Sequence, residues 1–366
     1  MSYLRVIYRA PMPLFVALAV LWLAPPARVA QAQTKPYLSS PRRALTAPEL
    51  LEAPDEWIER SLKWANDVLD GYPPAPIEHP VRRAALTRLD DILHIESAPR
   101  KALVQEFYRA RMEKAVREIE QTRVAEGTRI WKLYNHGFFV RTPTVSFTFD
   151  IVPGTATPGF AVDTKVLDRL ADQSDATFIS HLHGDHASQT VAKLFLARNK
   201  PVVAVEGLWA KDAELSSSLT YLKRSTTVVH EVSIQNGRRM LKVVAYPGHQ
   251  GESVLVTVHL VKTPDGFTVV HTGDQSGDEN VMNDFDWIAQ IGAHHHVDVL
   301  MPNCWTTNIQ RLARGVNPKL IITGHENEMG HTVDHREDYT QTYNHLFRTQ
   351  YPFVVMAWGE SYQYRK

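Results

Sequence analysis

The chain has one cysteine, Cys304, so no intramolecular disulfide can brace it. It has no charge of either sign to spare: Lys+Arg and Asp+Glu both number 40. A balanced chain of this kind carries no electrostatic footprint for nucleic acid and no polybasic surface for anionic lipid. Long apolar runs are also missing. The longest apolar run, Leu14 to Ala24, is about 11 residues, against the ~20 that a membrane-spanning helix needs. Neither GxSxG nor GxGxxG occurs, which leaves serine-hydrolase and dinucleotide-binding readings without a motif.

Arg5 and Arg9 precede that short apolar core, and Ala30-Gln31-Ala32 follows it. A basic start, a short apolar middle and a small-x-small end read as a secretory signal peptide over residues 1–32, cut after Ala32. The expectation is an exported protein, periplasmic or secreted, without a stable membrane span after processing. Oligomeric state leaves no mark in the sequence.

Residues 33–128 read as a helical extension. Ile58, Leu62, Ala65 and Leu69 recur at three- and four-residue spacing, as do Leu86, Leu89 and Leu93, and again Leu103, Phe107, Met112, Ala115 and Ile119. Prolines from Pro73 to Pro80, and Pro99, separate the three helices. From residue 129 to 366 short strand-like runs alternate with helices, including a hairpin across Thr263-Pro264-Asp265-Gly266, which indicates an α/β sandwich. Helices are expected over Ala187–Arg198 and Tyr339–Thr349, and a strand over Leu241–Ala245.

What is abundant is histidine, 17 in 366 residues, and its placement matters more than its number. His181-Leu182-His183-Gly184-Asp185-His186 puts three imidazoles and a carboxylate into six positions. His181 and His183, two apart at a strand end, point the same way. Gly184 lets the chain turn, and Asp185 and His186 open the following helix. Such a donor set suits divalent transition metals such as zinc, and it is more than one small ion takes from a single loop. Two ions are expected, provided that further ligands arrive. Three more strands end in ligand types beside glycine: Pro247-Gly248-His249, His271-Thr272-Gly273-Asp274 and Gly324-His325.

With these residues in this order, the sequence resembles the metallo-β-lactamase-fold hydrolase superfamily. The HxHxDH pattern is matched in full by His181, His183, Asp185 and His186, and the later single ligands by His249, Asp274 and His325. Asn135-His136-Gly137, Phe149-Asp150 and Gly359-Glu360-Ser361-Tyr362 look similar to the lactonase and phosphodiesterase-like branch. The resemblance spans residues 129–366 and excludes the helical extension. It implies a four-layer αβ/βα sandwich, one metal on His181, His183 and His249, another on Asp185, His186 and His325, and Asp274 bridging them. Zinc is the expected metal, with iron or manganese as alternatives. A hydroxide between the ions would attack an ester-like (lactone) or phosphodiester bond of a small-molecule substrate, with Asp185 as the catalytic carboxylate that orients it or takes its proton. The Asp274 bridge sets the chain apart from the antibiotic-cleaving members. A thioesterase-like or sulfur-processing iron enzyme, and a noncatalytic metal-binding exported protein, are the alternatives.

His136 resembles a site-facing residue and is expected in the substrate pocket. His331 and His335, four apart, are expected to share a helix face beside the site, with His331 facing substrate. His325 and His331 do not make a zincin motif, because six residues separate them where four are needed.

Overall fold

The computed structural model describes residues 53–276, 284–306 and 308–366, all within one compact unit. The expected signal peptide lies outside the described residues, as do residues 33–52 of the helical extension. Among the described residues, no helix is long and apolar enough to cross a membrane.

Three helices come first: α1 (Asp55–Gly71), α2 (Pro80–Leu93) and α3 (Ala102–Gln121). Asp55 and Glu56 in the first turn of α1 oppose the partial positive charge of its N-terminus. His79 accepts the Val81 N–H at 3.3 Å, and Pro80 supplies a preset φ at the first turn of α2.

Two seven-stranded sheets follow. The first has the order β14-β1-β2-β3-β4-β5-β6, built from β1 (Thr128–Lys132), β2 (Phe138–Arg141), β3 (Ser146–Phe149), β4 (Ala176–Ile179), β5 (Val202–Ala204), β6 (Thr220–Tyr221) and β14 (Glu360–Tyr364). The second runs β13-β12-β11-β10-β9-β8-β7, from β7 (His230–Ile234), β8 (Arg239–Gln250), β9 (Val254–Lys262), β10 (Thr268–His271), β11 (Val299–Met301), β12 (Leu320–Ile322) and β13 (Phe353–Val354). In each sheet an antiparallel half passes into a parallel half, at β3–β4 in the first and at β10–β11 in the second.

The period-two alternation of the strands builds the layers. Ile130, Phe138, Val140, Phe147 and Phe149 face Val243, Val261, Val269, Met301 and Ile322 of the other sheet in one apolar core. Their neighbours Trp131, Phe139, Val244, Leu260, Val270 and Ile321 point outward and pack with the helices in a second core. Helix, sheet, sheet, helix is the four-layer αβ/βα sandwich that the resemblance implies. The same outer core takes in Ile58, Leu89 and Met112, so the helical extension shares its burial with the sandwich.

Two local expectations are corrected. The strand expected over Leu241–Ala245 runs on to Gln250, so Pro247, Gly248 and His249 are strand residues paired with Thr257, Val256 and Leu255. Beyond Val243 only β9 flanks β8. An edge tolerates a proline that lacks an N–H, which is why these two breaker residues do not end the strand. Nor do His331 and His335 share an α-helix face: the segment is a turn followed by a 3-10 helix at Val333–His335. Arg336, just after it, is anchored elsewhere through Leu93 O and Ile95 O, which holds the segment in this shape.

Candidate metal centre

β4 ends at Ile179, and Ser180 leads directly into the histidine loop. Ser188 caps the helix that follows, α4 (Gln189–Leu196), by accepting the Val191 N–H. The ends of β8, β10 and β12 in the other sheet bring His249, Asp274 and His325 to the same region. Asp185, His186, Asp274 and His325 place ligand atoms within 4.8 Å of one another, and so do His181, His183 and Asp274. Asp274 is common to both groups. Its Oδ2 lies 3.7 Å from His181 Nε2 and 3.5 Å from His325 Nε2, and its Oδ1 lies 3.2 Å from His186 Nε2. Asp185 Oδ2 approaches His186 Nε2 at 3.2 Å and His325 Nε2 at 3.4 Å.

Three of the imidazoles, His181, His186 and His249, are turned by oxygen partners on their other nitrogen. His186 Nδ1 meets Asp150 Oδ2 at 2.9 Å, and His249 Nδ1 meets Asp284 Oδ2 at 3.0 Å. A carboxylate only accepts, so Nδ1 carries a proton in both rings and Nε2 is the nitrogen left to face a cation. His181 Nδ1 lies 3.0 Å from Ser180 Oγ, which in turn donates to Asp150 Oδ2 at 2.6 Å. Asp150 thus serves two loop histidines, and it also accepts the Ser180 N–H at 2.8 Å. Asn135 donates its amide to Asp185 Oδ2 at 3.1 Å and steadies that carboxylate.

Charge is concentrated here. Burial pushes His181 down to about 3, helped by the neighbouring His186. Burial also works against a charged His186, but Asp274, Asp185 and Asp150 outweigh it and hold that imidazole well above its usual range. Burial raises Asp274 and Asp185, yet His186 and His325 overcome this and keep both carboxyls well below the ordinary value.

A cation fits this donor set. His181 Nε2, His325 Nε2 and Asp274 Oδ1 are buried without a hydrogen-bond partner, although they converge on one space. Leaving such groups unmatched is costly unless something positive sits among them. His249 stands apart: among the described residues it belongs to no such ligand group, and its tie is to Asp284.

A cavity of about 370 Å³ opens beside the site, with Asp274, His325, Gln250, Trp305, His331 and Glu337 among its lining residues. His331 therefore faces the cavity. His136 does not line it. That ring is fully buried and lies tilted against His271 with centroids 4.1 Å apart, and a Cβ on Gly324 would stand 2.1 Å from its Cδ2. It packs beneath the site rather than facing a substrate, because the Gly324 backbone lies against it. The sequence reading missed Asp284, Gln250, Trp305 and Glu337. Asp284, Trp305 and Glu337 reach the site from segments that no motif marks, and Gln250 follows His249 directly but has no ligand chemistry of its own to single it out.

No family model and no curated protein matches the chain. Among solved structures, it is similar to a metallo hydrolase from the hyperthermophilic archaeon Ignicoccus hospitalis, at 14% identity over 65% of this chain and 99% of that one, with a TM-score of 0.48. It is similar also to a possible metal-dependent hydrolase from Veillonella parvula, at 16% identity over 65% of this chain and 100% of that one, with a TM-score of 0.48. A diiron β-hydroxylase from Streptomyces venezuelae matches at 14% identity over 66% of this chain and 54% of that one, with a TM-score of 0.45. At these identities the likeness is one of fold.

Proposed function

We propose that the chain is a metal-dependent hydrolase with a dinuclear centre. His181, His183 and His249 would hold one ion, Asp185, His186 and His325 the other, and Asp274 would bridge them. One observation carries this reading: the two oxygens of a single buried carboxylate, Asp274, reach imidazoles of both halves, His181 on one side and His186 and His325 on the other. The nitrogen and carboxylate donors favour zinc, with iron or manganese as alternatives.

When bound, two such ions supply Lewis acidity and lower the pKa of a water toward neutrality. The chain's own residues do the rest. Asp150, Ser180 and Asp284 fix the imidazole orientations through Nδ1, so that Nε2 faces inward. Asp185, fastened by Asn135 and 18% exposed, is the carboxylate placed to orient the attacking water or accept its proton. The cavity beside Asp274 and His325 admits a small molecule with an ester-like, lactone or phosphodiester bond. Export rests on the basic and apolar pattern of residues 5–32.

Elemental analysis of the purified chain should give two equivalents of metal. Wild type should cleave lactones or bis-aryl phosphates in a substrate panel, and His183→Ala should not. Two bound equivalents with every ester, lactone, thioester and phosphodiester left intact would sink the hydrolase reading.

A further inference from the structure

One imidazole of the site is tethered differently from the others. His325 has no hydrogen-bond partner on either ring nitrogen, yet it is buried to 1% exposure. Its Nδ1 faces Glu337 Oε2 at 3.5 Å, and that oxygen is also buried without a partner. A buried imidazole nitrogen and a buried carboxylate oxygen, each unmatched and each the other's neighbour, need only a small carboxylate rotation to form a charge-assisted hydrogen bond.

We propose that Glu337 is the positioning carboxylate of His325. It would accept from Nδ1–H and so direct Nε2 at the second ion, as Asp150 does for His186. The inference rests on the two-metal reading above and adds a residue to it. Glu337 is well placed for the task. Its carbonyl accepts the Asn327 N–H at 2.8 Å, which closes the chain back to within two residues of His325. The preceding Arg336 donates to Leu93 O and Ile95 O at 3.0 and 3.2 Å, so the segment is pinned to the helical extension on its other side. His325 itself needs steadying: it is a non-glycine residue with φ of 78°, a backbone that local preference does not hold.

The competing use of the same atoms is a third cation site. His325, His331 and Glu337 also place ligand atoms within 4.8 Å of one another. The positioning role is favoured because His325 Nε2 already lies against Asp185 and Asp274. A second cation on Nδ1 would require that ring to lose both protons.

The test is zinc affinity of the full chain by chelator competition, for wild type, Glu337→Gln and Glu337→Asp. Outer-shell partners are typically worth 10–100-fold in affinity. Glu337→Gln should therefore weaken one of two equivalents by about that factor and leave the other unchanged, while Glu337→Asp recovers part of the loss. The thermal midpoint of the chelator-treated protein should not move, which separates positioning from folding. Identical affinities in wild type and Glu337→Gln overturn the inference alone. So does a third equivalent in wild type that Glu337→Gln loses, since Glu337 would then be a ligand. A wild type that binds fewer than two equivalents overturns both this inference and the two-metal reading.

Discussion

Asp90, on α2, accepts the backbone N–H of Tyr339 at 2.9 Å, joining the helical extension to the far end of the loop that begins at His325. The same carboxylate takes the Asn327 amide at 3.2 Å and the Thr340 N–H at 3.2 Å. Both ends of the loop carrying His331 and Glu337 are therefore held by one side chain outside the sandwich. Removing it strands four donors, counting the Thr340 hydroxyl at 3.3 Å, each worth roughly 1–3 kcal/mol if left unpaired in a buried place. Asp90→Ala should lower stability by about 2–4 kcal/mol in urea unfolding. A loss under about 1 kcal/mol would mean that the loop holds its shape without α2.

Asp274→Asn keeps the shape of the side chain but removes its charge and one of its acceptor oxygens. Asp274 reaches both halves of the site, so the variant should retain at most one equivalent of metal. Hydrolysis should fall by more than about 100-fold, the upper range for residues that only support ligands. Elemental analysis and turnover on the best substrate of the panel check this. Two equivalents retained at full activity would contradict the bridge.

Acid should weaken the fold through His259. Burial pushes this imidazole from 6.5 down to about 3, and neither ring nitrogen has a hydrogen-bond partner. Above pH 6.5 the ring is neutral in both folded and unfolded chains, and its full contribution is present. Below that, the unfolded chain takes up a proton that the folded chain refuses, so stability is lost as pH falls from 6.5 toward 3. Between pH 7 and 5 the loss from this one group is about 2 kcal/mol. His259→Leu, set against Phe178, should flatten the stability curve by that amount in urea midpoints at the two pH values. An unchanged slope would assign the acid sensitivity elsewhere.

Arg82 is buried completely on α2 and grips both oxygens of Glu360 on β14, at 2.6 and 2.5 Å, as well as Val355 O at 2.8 Å. Breaking a buried pair by removing one partner typically costs 3–5 kcal/mol, because the survivor stays charged and unmatched. Arg82→Met should lose about that much, and Arg82→Met with Glu360→Leu should recover most of it. If the double variant is no better than the single one, the other partners of Arg82, Glu78, the Tyr72 carbonyl and the Val355 carbonyl, are the larger part.

Much of this was readable from the chain because the ligand types are contiguous or follow strands directly. His181 to His186 need only a strand end and a turn, and the apolar alternation of Ile130, Phe138, Val140 and their neighbours marks the sandwich. What escaped is what depends on distant segments meeting. Asp284 reaches His249 across 35 residues, and Glu337 reaches back to His325 through a turn that the His331 and His335 spacing misrepresents as helix. His136 reads as a pocket residue until Gly324 is seen to lie against it. Pro247 and Gly248 read as a strand end because sequence does not show that β8 loses one of its neighbours there.

Gly273 has a φ of 54°, and a Cβ there would stand 2.5 Å from Ser180. The backbone of the loop after β10 in one sheet and the Ser180 side chain after β4 in the other therefore touch, and the proposed ligands are divided between those two sheets. Cations seated among them would fasten one sheet to the other, a cross-link in a chain whose single cysteine can make none. The centre would then act as a rivet as well as a reaction site. Stripping it with a chelator should open the sandwich to proteases along the seam between its halves.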